Sequence, residues 1–132
     1  MTKASTTKRR PTPAELALLQ ALWRRGPSTV RELHDSLPED RQTGYTTVLK
    51  LMQIMYDKGL VTRDESRRAH VYSATKSKRE TQRQLLNDFI DRVYEGAATT
   101  LAVQALNQTD TINDDDAARL RRSLDELENR LV

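Results

Sequence analysis

A change of hydrophobic period at Gly59 constrains this chain more than any other feature. Before it, apolar residues recur at helical spacing in three successive segments; after it come two short runs of β type, and then the helical spacing returns. A compact fold has to bury one stripe from each helix against a small sheet placed fourth in the order. The start and stop signals sharpen this. Thr12-Pro13-Ala14-Glu15 combines a capping residue, a proline at the first helical position and a capping-box glutamate. Leu16, Leu19, Leu22 and Trp23 then form a stripe, with the single Trp read as a core anchor, and Gly26-Pro27 ends the helix. Thr29-Val30-Arg31-Glu32 opens a second helix with Val30, Leu33 and Leu37 on one face, closed by Pro38. After a polar connection from Pro38 to Gly44, a third helix runs from about Tyr45 to Lys58, with Gly59 just past its end. Its inward stripe is Val48, Leu51, Met52 and Met55.

Leu60-Val61-Thr62-Arg63 and His70-Val71-Tyr72-Ser73 read as the two strands of a hairpin with a polar tip, Asp64 to Ala69. Helix, short helix, helix and hairpin in that order describe a winged helix-turn-helix. A further capping box, Ser77-Lys78-Arg79-Glu80, opens a long helix to about Leu106. It carries Leu86, Phe89, Ile90, Val93, Tyr94, Ala97 and Leu101, with Gly96 as its weak point. Asn113 caps a last helix in which Ala117, Leu120, Leu124, Leu127 and Leu131 keep a 3-4-3-4 spacing. Two heptads are too short for a free-standing coiled coil, so this helix is expected to pack on another element, most economically the same region of a second copy. The predicted fold is therefore mainly α with a small β-hairpin. Residues 1–11 form a flexible basic arm, 12–75 the winged-helix domain and 76–132 a helical dimerisation region.

Charge follows the same division. Residues 1–79 carry 16 Lys or Arg against 8 Asp or Glu, whereas residues 80–132 carry 6 against 11, so a formal net charge of +3 conceals a basic half and an acidic half. That pattern suits one part binding a polyanion, although two solvated faces of a single fold would produce it too. Hydrophobic residues make up 36% of the chain, which leaves a modest core and a use for a partner chain.

Catalytic and metal chemistry find little support. The chain has no cysteine, its two histidines, His34 and His70, are far apart, and no phosphate-binding glycine loop or nucleophile elbow occurs. Asp114-Asp115-Asp116 stands at a helix start, where dipole complementarity accounts for it better than a metal site. No enzyme activity, cofactor or metal is expected. Neither a membrane-spanning run nor an apolar leader segment is present, and a cytoplasmic protein without membrane insertion is expected.

The third helix is the informative segment. Opposite its apolar stripe lie Tyr45, Thr46, Thr47, Lys50 and Gln53, and from Tyr45 to Tyr56 Lys50 is the only charged residue. Hydroxyls and backbone N–H groups at a helix start suit phosphate, while Lys and Gln can reach either phosphate or base edges in the major groove. The hairpin adds Arg63, Arg67, Arg68 and His70, placed to grip phosphate or the flanking minor groove. Double-stranded DNA is the expected partner. The alternative is a basic protein-interaction module without sequence-specific DNA binding.

The segments Tyr45-Thr46-Thr47-Val48-Leu49, Lys58-Gly59-Leu60-Val61 and Arg67-Arg68-Ala69-His70-Val71-Tyr72 resemble the penicillinase-repressor (BlaI/MecI/CopY) family. So do Pro13-Ala14-Glu15-Leu16 with Leu22-Trp23, and Phe89-Ile90-Asp91-Arg92-Val93-Tyr94-Glu95-Gly96. The resemblance implies a homodimeric winged-helix repressor that binds an inverted-repeat operator. It places dimerisation on Phe89, Ile90, Val93, Tyr94, Leu101, Leu120, Leu124 and Leu127. It also implies release through a membrane-bound zinc-protease sensor that cuts the dimerisation region near Gln104 and Ala105, where the best-known members carry an Asn-Phe pair. Copper sensing of the kind seen in one branch needs C-terminal cysteines, which this chain lacks.

Overall fold

A computed structural model describes residues 10–38 and 43–131. Most of the predicted basic arm and the middle of the 38–44 connection lie outside the described residues. The chain divides into two compact units, Met1–Asn87 and Asp88–Val132.

In the first unit, α1 spans Pro13–Arg25, α2 Val30–Ser36 and α3 Tyr45–Lys58; β1 (Val61–Asp64) and β2 (Val71–Ala74) follow. Both expected N-terminal caps are present. The Thr12 hydroxyl accepts from the Glu15 N–H while the Glu15 carboxylate accepts from the Thr12 N–H, and Thr29 with Glu32 repeats the arrangement. The backbone N–H of Thr29, aided by its hydroxyl and by Arg25, holds the Glu32 carboxyl below the ordinary carboxylate range.

The core joins Leu18, Leu19 and Leu22 of α1, Val30 and Leu33 of α2, and Val48, Met52 and Met55 of α3 to Val61 and Tyr72 of the hairpin. The stripe of α1 is turned from the sequence expectation. Leu18 is buried, Leu16 is only half-buried, and Trp23 lies at the margin of the core, its indole N–H donating to the Lys76 carbonyl at 3.1 Å. Burying Leu18, Leu19 and Leu22 together carries Glu15, just 2% exposed, onto the inward face one turn before them. Its carboxylate accepts from Lys58 Nζ at 2.7 Å, so the start of α1 is tied to the end of α3.

The exit from α3 is a Schellman turn. Gly59 adopts a left-handed φ of 82°, its N–H reaches the Tyr56 carbonyl, and the Leu60 N–H reaches that of Met55. This reverses the chain into β1, which pairs antiparallel with β2 in the register Val61↔Ala74, Thr62↔Ser73, Arg63↔Tyr72 and Asp64↔Val71. Ser28, between α1 and α2, exchanges two backbone hydrogen bonds with Tyr72 and adds an isolated antiparallel bridge to β2. Each strand lies one residue later than the sequence suggests.

The boundary between the units falls inside α4, Lys78–Val93, which starts at the expected Ser77–Glu80 capping box. The single long helix expected from Ser77 to Leu106 is instead two. Glu95 (φ 50°) and Gly96 (φ 87°) both adopt left-handed backbone, which stops the helix and starts α5 at Ala98–Asn107. The Gly96 N–H bonds back to the Ile90 carbonyl, and the Tyr94 hydroxyl donates to Gln104 Oε1 at 2.7 Å, so the bend is paired on both sides. Helix α6, Asp114–Arg130, begins at Asn113, whose side chain accepts from the Asp116 N–H.

Candidate nucleic-acid interface

Helix α3 presents its N-terminal half to solvent. Tyr45, Thr46, Thr47, Lys50 and Gln53 are all exposed, because Val48, Met52 and Met55 turn the opposite side into the core. The first turn holds no acidic residue, and Gly44 at the cap offers no side chain to the free N–H groups. Among the described residues no carboxylate caps these donors, which suits the approach of an anion.

Two residues that the sequence reading passed over support Tyr45. The Arg31 guanidinium of α2 lies 5.0 Å from the ring centroid, and the His34 ring meets it edge-on at 6.1 Å. Arg31 thus adds a cation beside the start of α3. Its sequence position on a short helix carries no signal of this, since the contact depends on how α2 crosses α3.

At the hairpin, Arg67, Arg68 and His70 are exposed in the turn. The Asp64 carboxylate accepts from the Ser66 N–H at 2.9 Å and shapes the turn locally. The Ser66 side chain and N–H, together with Arg67, hold the Asp64 carboxyl below the usual carboxylate range. A lowered value in the folded state favours the turn above that range, and the preference is lost as pH falls through the lowered value. Carbon-detected NMR should therefore place the Asp64 midpoint below that of a model peptide. Protection of the Ser66 amide should disappear over the same titration; a midpoint at the model value would contradict the pairing.

Arg63 is placed differently from the other three. Alternation along β1 puts Val61 and Arg63 on the inner face, opposite Ala74 and Tyr72, so its side chain is only 20% exposed. Its guanidinium stacks on the Tyr56 ring at 3.9 Å and holds Glu65 Oε2 through Nε and Nη2 at 2.6 Å.

The second unit offers a different surface. None of its described residues is buried. Phe89, Val93, Leu120, Leu124 and Leu127 are each roughly half exposed or more, and Ile90, Tyr94 and Leu101 are half-buried. Leu106, Ile112 and Leu120 face an open groove of about 660 Å³ between α5 and α6. Gln104 and Ala105 are exposed within α5. Among the described residues no cluster of His, Cys, Asp or Glu could hold a metal ion, and no helix is long and apolar enough to cross a membrane.

Residues 11–126 match the penicillinase repressor family model, a span that covers both units almost completely. The chain belongs to the penicillinase repressor family. It is also similar to the transcriptional regulator BlaI of Mycobacterium tuberculosis, in strains CDC 1551 / Oshkosh and ATCC 25618 / H37Rv. Each is 32% identical over 115 residues, which cover 86% of this chain and 82% of the relative. Members of the penicillinase repressor family are transcriptional regulators rather than enzymes, and the winged-helix fold of this member suits a DNA-binding repressor.

Proposed function

We propose that the protein represses transcription as a homodimer bound to an inverted-repeat operator, with α3 of each protomer in a major groove and the wing tip on the flanking DNA. The observation that carries this reading is the acid-free, solvent-facing half of α3, continuous in composition with the arginines of the wing. Tyr45, Thr46, Thr47, Lys50 and Gln53 are the contacts proposed for the groove, and Arg67, Arg68 and His70 those for the flank. The leucine row of α6 and the apolar residues of α4 and α5 form the proposed dimer contact. Two reading helices related by a twofold axis meet successive major grooves about 34–36 Å apart, which demands a palindromic site.

Release would follow from separating the C-terminal helices, because a single module makes few contacts and loses the avidity of the pair. Cleavage near Gln104 and Ala105 by a membrane-bound zinc-protease sensor is one route, favoured by their exposure. A repressor of this kind would act in the cytoplasm, where its operator DNA lies.

A gel-shift titration at two salt concentrations, on duplex selected by the protein and on scrambled duplex, tests the reading. Equal retention of both duplexes would favour the protein-interaction alternative. In the same assay Lys50→Ala is expected to weaken binding by ~1–3 kcal/mol. Loss of discrimination at one position per half-site assigns Lys50 to a base, and a flatter salt dependence on every duplex assigns it to phosphate. An unchanged titration removes Lys50 from the interface.

A further inference from the structure

We infer that Arg63 is a positioning residue that locks the wing to the reading helix, and that Glu65 is its counterpart in the turn. This rests on the DNA-binding reading above, but the observations are internal to the fold. Arg63 leaves β1 on the inner face, and its guanidinium plane covers Tyr56 in the last turns of α3. The edge of the same plane holds Glu65, the first residue after β1. One side chain therefore joins the helix, the strand and the turn. Interaction with the Tyr72 side chain, and then with Glu65, favours the charged guanidinium further. Asp64 pins the next residue, Ser66, from the other side.

Arg67 and Arg68 follow immediately. Fixing Glu65 and Ser66 limits where these two arginines can point, so less ordering remains to be done when DNA arrives. An arginine suits this role because its planar fork stacks and pairs at once, which a lysine cannot do. A carboxylate at the tip of a DNA-binding wing is otherwise unfavourable, since it repels phosphate. The clamp gives Glu65 a reason to be there.

The sign of one substitution separates a clamp from a direct phosphate contact. Glu65→Gln removes a negative charge beside the proposed DNA site and weakens the hold on Arg63, whose charge-assisted pairing becomes an ordinary hydrogen bond. If Arg63 gripped phosphate by itself, binding would tighten. The clamp predicts weaker binding, by about three- to ten-fold, because the tip arginines lose their preset direction. The probe is a duplex that the protein selects from a randomised library, used at full length and after trimming the base pairs that flank the half-sites.

The loss should appear on the full-length duplex and vanish on the trimmed one, and Tyr56→Leu and Arg63→Lys should show the same dependence on length. Equal or tighter binding by Glu65→Gln on the full-length duplex overturns the inference, as does an equal loss on both duplexes. Amide exchange of residues 65–69 provides a reading without DNA: faster exchange in the variant supports the clamp, and identical exchange overturns it. Should the wild-type protein select no duplex, the functional reading fails, and the exchange measurement alone decides the clamp.

Discussion

Leu124→Asp in α6 is expected to break the proposed dimer and to reduce affinity for the proposed operator by about 10²- to 10⁴-fold, without unfolding the winged-helix unit. The side chain is 58% exposed, so it contributes little to the fold of its own chain. Leu120, Leu127 and Leu131 continue the row, and all are at least 45% exposed. Covering such a row with a second copy removes apolar surface from water at roughly 1.5–3 kcal/mol per fully buried side chain, enough for a few leucines to decide association. A carboxylate in the middle of that contact would be desolvated without a partner. Sedimentation velocity should show the change in mass, and a titration on a palindromic duplex the fall in affinity. Undiminished affinity at nanomolar protein would sink the dimer mechanism.

Lys58→Met should lower the stability of the winged-helix unit by about 2–4 kcal/mol, somewhat less than the value for breaking a fully buried pair. Glu15 is 2% exposed, whereas Lys58 retains 23%, so water screens one member in part. The substitution leaves a carboxylate inside the fold with the Thr12 N–H as its remaining hydrogen-bond donor among the described residues. For a unit of this size the midpoint of thermal unfolding should fall by roughly 10–25 °C. Adding Glu15→Gln should recover at least half of the loss. Glutamine keeps the reciprocal hydrogen bond of the capping box and needs no counter-ion. Melting of the unsubstituted protein and the two variants, followed by Trp23 fluorescence, is the measurement. A shift below about 0.5 kcal/mol for Lys58→Met would show that the pair contributes no more than a surface contact.

These two predictions draw on information of different range. The leucine row of α6 is legible as a spacing, and so is the start of each capped helix. Thr12 with Glu15, Thr29 with Glu32 and Ser77 with Glu80 are each three residues apart, and each closes as read. Gly59 stands where a left-handed residue must follow α3. The role of Glu15 was only half visible. Its capping bond is local, but its burial depends on Lys58, 43 positions away. The same inward face runs through Leu18, Leu19 and Leu22 and leaves Trp23 at the margin.

Arg63 was legible in the face it occupies and not in the partners it meets. Counting alternate residues from Val61 puts it on the inner face, yet its charge invited grouping with Arg67 and Arg68. Tyr56, which receives it, belongs to the preceding helix and carries no sign of the contact. The bend at Glu95 and Gly96 shows the same limit. Gly96 marked the place, but a glycine can remain within a helix at a cost of about 1 kcal/mol. The pairing of Tyr94 with Gln104 on the following helix accompanies the break.

Caps, turns and hydrophobic periods act between residues a few positions apart. The chain alone was therefore enough to define the order of elements, the acid-free exposed face of α3 and the exposed leucine row of α6. Which way each element turns depends on contacts between distant segments. Glu15 with Lys58, Arg63 with Tyr56 and Trp23 with Lys76 emerge only when helices and hairpin share one core. Burial then alters what a charge does. A glutamate becomes a tie between two helices, because a desolvated charge must find its partner within the fold, and an arginine of the wing meets a ring and a carboxylate of its own chain.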